Sequence, residues 1–193
     1  MTREEILFAA AQIFGQKGYH ATSMQDIADS VNLQKASLYH HFESKQEILL
    51  CLLDSALDLL IERIAPIQAS PHPPAEKLRD AMRTYIQTVA DYQNLASVLL
   101  LEHRSLDPDL RERHNPRRDR FESIWRDLVQ EGQETGIFAC SSTALTARAL
   151  LGVMNWTITW YRKEGPMGPS EIAEQFADLF LFGLITRNGS ITQ

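Results

Sequence analysis

Residues 22–42 read TSMQDIADSVNLQKASLYHHF. Met24, Ile27, Ala28 and Val31 stand at i, i+3, i+4 and i+7, one face of a short helix, behind the hydroxyls of Thr22 and Ser23 that cap helix starts. Val31-Asn32-Leu33 then breaks the period, and asparagine is the non-glycine residue that best tolerates positive φ, so a tight turn costs little there. A second short helix is expected over Lys35–His41, docked through Leu38 and Phe42, four residues apart. Two short helices joined by such a turn match the helix-turn-helix, whose second helix enters the DNA major groove. Docking through Leu38 and Phe42 leaves Lys35, Ala36, Ser37, Tyr39, His40 and His41 facing outward. Those types suit DNA: lysine pairs with guanine or phosphate, hydroxyls reach phosphate oxygens, and a small alanine permits close approach to a thymine methyl.

The paired histidines raise a metal as the rival chemistry. Adjacent helix positions point about 100° apart, so His40 and His41 cannot share one ion, and no neighbouring cysteine completes a set. No metal and no other cofactor is expected.

Working outward, Ile6, Ala10, Ile13 and Phe14 mark a first helix over Arg3–Lys17, ended by Gly18. Downstream, Ser44-Lys45-Gln46-Glu47 is a capping box that opens a fourth helix, whose apolar series from Ile48 to Ile64 runs to Pro66. The proline-rich stretch 66–74, PIQASPHPP, cannot continue it. Further helices are expected at about 75–91, 93–104, 116–135, 142–163 and 170–186, punctuated by Asp107-Pro108, Asn115-Pro116, Gly136 and Gly165-Pro166. No strand pattern emerges. The expected fold is all-α, about nine helices: a helix-turn-helix domain over 1–46 and a larger helical domain over 47–193, with helix 47–65 linking them.

Composition narrows the partners. Of 193 residues, 44% are hydrophobic and 23% charged, ordinary values for a folded protein. The net charge is −6, and residues 1–45 carry four basic side chains against five acidic ones, so the head is no basic block. Phosphate holding must then fall partly to free amides at helix starts, the one behind Thr22 and Ser23 included, and two copies of the head are needed for useful affinity. Cys51 and Cys140 fit no metal or disulfide spacing and are expected to be reduced thiols. Glu4 and Glu5 precede an amphipathic stretch unlike a signal peptide, so a cytoplasmic protein is expected. The apolar run Ala144–Trp160 carries Arg148 and Asn155 and falls short of a bilayer's roughly 20 residues. No nucleophile elbow or glycine-rich phosphate loop points to an enzyme.

The run from Ile6 to Leu50, with Phe14, Lys17-Gly18-Tyr19, Thr22-Ser23-Met24, Asp26-Ile27-Ala28, Leu38-Tyr39-His40-His41-Phe42 and Lys45, resembles the N-terminal domain of the TetR family of bacterial transcriptional regulators. The resemblance implies a homodimer that binds double-stranded operator DNA, with a ligand-binding domain whose last two helices form the dimer interface. It also implies that Tyr39, His40 and Lys45 hold phosphates while Gln34, Lys35, Ala36 and Ser37 lie nearest the bases. The sequence departs from that pattern at Asn32, where a glycine is usual, and at Gln34, where a serine usually caps the recognition helix. The stretch 164–184, EGPMGPSEIAEQFADLFLFGL, with the tryptophan-rich helix before it, resembles a TetR branch whose members respond to acyl-CoA thioesters or related lipids.

Candidate contacts for such an effector are Tyr85, Phe121, Trp125, Asn155, Trp156 and Trp160, with Arg104 of the arginine run 104–120 for coenzyme phosphates. Core packing of those aromatics, and a solvated face for the arginines beside acidic neighbours, are the alternatives. Helix 144–161 is apolar on more than one face, and the last helix carries Ile172, Phe176, Leu179, Phe180 and Leu184. An isolated monomer would expose much of this, so Leu151, Met154, Ile158, Phe176, Leu179 and Phe180 are expected at the dimer interface. The expected function is a repressor released from a pseudo-palindromic operator by a small apolar or acyl-CoA-type effector. A protein-docking module or an apolar-ligand carrier with an idle head is the alternative, separated from it by DNA binding.

Overall fold

A computed structural model describes residues 1–183; Leu184, and the part of the last expected helix that contains it, lie outside the described residues. The described residues form nine α-helices and no strand. They are α1 (Arg3–Lys17), α2 (Met24–Ser30), α3 (Lys35–His41), α4 (Lys45–Gln68), α5 (Pro74–Asp91), α6 (Gln93–Leu101), α7 (Pro108–Glu134), α8 (Thr143–Trp160) and α9 (Pro169–Phe182), with a 3-10 turn at His103–Ser105. They fall into two compact units, residues 1–62 with 91–123, and residues 63–90 with 124–183.

In the first unit, local chemistry sets the helix ends. Thr2 and Glu5 form a capping box at α1: the Glu5 amide donates to the Thr2 hydroxyl at 3.2 Å, and the Thr2 amide to the Glu5 carboxylate at 2.6 Å. Gly18, at φ +82°, closes α1 by donating its amide to the Phe14 carbonyl. Ser23 and Asp26 make a second box at α2. Asn32 turns the chain at φ +53°, the one positive φ outside glycine among the described residues. Ile6, Ala10 and Phe14 of α1, Ile27 and Ala28 of α2, and Leu38 and Phe42 all bury against one another's elements with 2% exposure or less.

At two prolines the helix boundaries differ from expectation. α7 starts at Pro108 and carries Pro116 in its interior, and α4 runs past Pro66 to Gln68. A helical proline forfeits one backbone hydrogen bond and crowds the preceding turn. On either side of Pro116 the helix is anchored to α4: the His114 ring nitrogen Nδ1 lies 2.7 Å from Asp54, and Arg117 pairs with Asp54 at 2.8 Å and Asp58 at 3.1 Å.

In the second unit α5 is tied to α9 by Arg79, which donates to Glu174 and Asp178, and by Arg83, which also donates to Glu174. Lys77, 6% exposed, reaches Glu131 of α7 at 2.8 and 3.0 Å. Gly132 exists to admit the Phe138 ring: a Cβ there would stand 2.0 Å from a ring carbon. No helix among the described residues is long and apolar enough to cross a membrane.

Candidate DNA-binding surface and effector cavity

The outward face of α3 follows from what α3 buries. Leu38 is fully buried and Phe42 is 1% exposed. Gln34, Lys35, Ala36 and His40 are exposed, Tyr39 is 46% exposed, and Ser37 is half-buried at the edge. One strip therefore carries a cation, an imidazole and several hydroxyl and amide groups, with a methyl group low enough for close approach. Gln34 makes no side-chain capping bond, which leaves its amide free to point away from the helix.

Three residues expected at the DNA are held differently from their neighbours. Thr22 is 2% exposed, and its hydroxyl donates to the Gly18 carbonyl at 2.9 Å, so its side chain is not part of the surface; this corrects the expectation. Ser23 is exposed, but its hydroxyl is engaged on both sides, accepting from the Asp26 amide at 3.1 Å and donating to the Asp26 carboxylate. Those bonds, first the hydroxyl and then the Ser23 amide, hold the Asp26 carboxyl down at about 2, with a smaller part from Lys17. Lys45 donates to the Tyr19 carbonyl at 2.9 Å and the Thr22 carbonyl at 2.6 Å and lies 4.2 Å above the Tyr19 ring. Two of its three donors therefore clasp the connection between α1 and α2, leaving one for a phosphate. Burial lowers its ammonium pKa.

The same connection is joined to the segment between α6 and α7. The Tyr19 amide donates to Glu102 at 3.2 Å, and Ser105 stands 3.0 Å from both Glu102 and the His20 ring. Gln46 at the start of α4 donates to the Ser105 carbonyl and accepts from the Asp107 amide. Gly15 of α1 sits so close to Asn94 of α6 that a Cβ would meet its backbone Cα at 3.3 Å. None of these joining residues stands out by spacing or composition, because each depends on a partner 59 to 85 positions away. Burial and desolvation raise the Tyr19 phenol to about 12, with Asp107 and Glu102 adding to it.

The residues expected to line one effector pocket differ in burial: Phe121 and Trp125 stand one turn apart on α7, both buried. Tyr85 and Trp125 are buried in the second unit, edge to face with centroids 5.9 Å apart, and the Tyr85 hydroxyl donates to half-buried Asn155. Burial alone raises the Tyr85 pKa, so the phenol is neutral. Arg104, exposed, and Phe121, buried, belong to the first unit. Trp156 is 66% exposed on the outer face of α8, which corrects its place in a pocket, and Trp160 stacks edge to face on Phe176 at 6.5 Å with 39% exposure. A cavity of about 560 Å³ does occur in the second unit, walled by Leu78, Val129, Phe138, Leu150 and Phe180 with Cys140 and Thr146 at its polar side. That volume falls in the range of small-molecule sites. None of the seven expected residues lines it. Of the arginine run, Arg111 donates to the Arg104 and Leu106 carbonyls and Arg117 pairs with α4, while Arg113, Arg118 and Arg120 are exposed.

The outward strip of α8 is Leu145, Ala149, Gly152, Trp156 and Trp160, one helix face at spacings of three and four, joined on α9 by Leu179 and Phe182. Of the expected interface residues, Leu151, Ile158, Phe176 and Phe180 are half-buried and Leu179 is 39% exposed. Met154 is fully buried within its own chain and has no surface to offer a partner, which corrects its assignment. Among the described residues no group of three or more His, Cys, Asp or Glu side chains could hold a metal ion.

Comparison with known proteins converges on one family. Residues 6–51 match the model of bacterial regulatory proteins of the tetR family, and residues 71–184 match the tetracyclin repressor-like C-terminal domain. The HTH-type transcriptional repressor KstR2 of Mycobacterium tuberculosis is 31% identical over 97% of this chain and 94% of its own. The crystal structure of PfmR, a TetR family regulator from Thermus thermophilus, superposes with a TM-score of 0.87 at 38% identity, covering 94% of this chain and 99% of that one. AibR, crystallised with isovaleryl coenzyme A and operator DNA, gives 0.86 at 26% identity, covering 93% and 98%. The chain belongs to the TetR family of bacterial transcriptional regulators.

Proposed function

We propose that this chain is a cytoplasmic, non-catalytic repressor that binds a pseudo-palindromic operator as a homodimer and is released by a small apolar or acyl-CoA-type effector. The observation that carries the DNA part is the exposed strip of α3 above buried Leu38 and Phe42. In this reading Gln34, Lys35, Ala36 and Ser37 face base edges, while Tyr39, His40 and the remaining donor of Lys45 meet phosphates. The head spans 1–46, and α4 joins it to a ligand-binding and dimerisation domain. The apolar strip through Leu145, Trp156 and Phe182 supports pairing with a second copy, since a monomer would leave it in water. Leu151, Ile158, Phe176, Leu179 and Phe180 flank that strip as further interface candidates. Two heads in one dimer then reach successive major grooves about 34–36 Å apart.

The effector's class is supported by isovaleryl coenzyme A in the similar AibR, and the second unit holds a cavity of small-molecule size. Tyr85, Trp125 and Asn155 remain candidate contacts for it. Release requires only that the effector prefer a state in which the heads are misplaced, and it can shift the equilibrium by no more than that preference. Gln46, Glu102 and Ser105 provide a route, because they join the head's loop to the segment between α6 and α7.

The test is a mobility-shift titration on DNA flanking the chain's own gene, repeated with isovaleryl-CoA and with palmitoyl-CoA. A sequence-selective, salt-sensitive shift abolished by one of them is expected. No selective shift overturns the DNA assignment, and a shift indifferent to both overturns the effector class.

A further inference from the structure

Arg3 is the first residue of α1, far in sequence from the recognition helix, yet its guanidinium binds at that helix's end. One terminal nitrogen, Nη1, donates to the carbonyl of His41, the last residue of α3. The other, Nη2, donates to the Glu47 carboxylate at 2.8 Å and lies 3.2 Å from the Cys51 sulfur, both on α4. The planar group lies 4.0 Å from the centroid of the Phe42 ring. Glu47 in turn accepts from the Glu43 amide at 2.7 Å, so one carboxylate holds both Arg3 and the link between α3 and α4.

The His41 carbonyl is one of the last four of a helix, which have no partner inside it and carry the negative end of the helix dipole. A seven-residue helix is too short to persist alone, so its pose is set by what holds it. Leu38 and Phe42 fix its depth. Gln34 makes no capping bond at its start, and Arg3 supplies a charged tie at its finish.

We propose that Arg3 is a positioning residue for DNA recognition, fixing the C-terminal end of α3 against α1 and α4 without itself touching the operator. The side chain is 43% exposed, so direct phosphate contact is the competing role, and the two roles predict opposite signs. The inference rests on the DNA-binding assignment above.

The experiment measures affinity against salt concentration for the full chain, Arg3→Met and Glu47→Gln, on a duplex selected from a random pool by the full chain. If Arg3 positions α3, Arg3→Met loses about tenfold, the worth of one charge-assisted hydrogen bond, with an unchanged slope of log affinity on log salt. Glu47→Gln then also loses affinity, although it removes a negative charge. Should Arg3 hold a phosphate, Arg3→Met shallows the slope by about 0.9 and Glu47→Gln, by freeing the guanidinium, binds more tightly. That pattern, or unchanged affinity in both variants, overturns the proposal. Thermal melting of each variant separates a lost fold from a lost pose, and Glu47→Gln decides by its sign even if Arg3→Met unfolds. Failure of the full chain to select any duplex defeats the DNA-binding assignment instead, a distinct outcome.

Discussion

α2 and α3 are both seven residues long and pack side by side, but they are held at opposite ends. α2 is fixed at its start by the reciprocal Ser23–Asp26 box, a local device written within four residues. α3 has no side-chain cap at its start and is tied at its finish by Arg3, 38 positions away. A helix that only needs to support can be closed locally. In α3 the start carries no side-chain cap, and the helix is secured at its finish instead.

The largest effect on this contrast comes from the shared core. Leu38→Ala and Ile27→Ala each remove a fully buried side chain and should each cost about 3 kcal/mol in chemical unfolding. At a temperature where both variants stay folded, Leu38→Ala should lose far more DNA affinity, because Leu38 sets the depth of α3. Equal affinity losses would mean that α3 has no pose of its own to lose.

The caps should respond next, and with opposite signs. Ser23→Ala removes the α2 box and should destabilise by about 1 kcal/mol, whereas Gln34→Ser adds a missing cap to α3 and should stabilise by a smaller amount. Thermal melting compares them. A stabilising Gln34→Ser that also changes the preferred operator bases would show that this position gives up capping for recognition.

The smallest effect is a pH dependence. The bonds from Ser23 hold the Asp26 carboxyl at about 2 in place of its ordinary 3.8. A depressed carboxyl contributes stability that is complete above that ordinary value and is lost as pH falls toward 2. Asp26→Asn should therefore narrow its deficit against the wild type as pH drops from 5 to 2. A deficit constant over that window would assign the α2 cap no charged component.

Much of the first unit was legible because its signals are local. Gly18, Asn32, and the Ser23 hydroxyl each act within a few residues, and α1 to α3 fall where the sequence places them. The capping box at Ser44 was half right: the Glu47 amide donates to Ser44 at 3.1 Å, but the Glu47 side chain reaches the Glu43 amide and Arg3. Periodicity says which residues share a face and not what covers that face. Hence Thr22 and Lys45, polar by type, turned inward to backbone carbonyls, while Trp156, apolar by type, turned outward. Met154 went inside for the same reason, on a helix apolar on more than one side. Pro116 misled because the helix runs through it, with His114 and Arg117 on either side both reaching Asp54, 62 positions earlier.

Footprinting tests most directly the claim that α3 of two subunits reads one operator. On the duplex recovered by selection, two protected half-sites centred 10–10.5 base pairs apart on one face of the helix are expected, both lost with Lys35→Ala at equal protein concentration. A single protected site, or two that persist unchanged with Lys35→Ala, would contradict it.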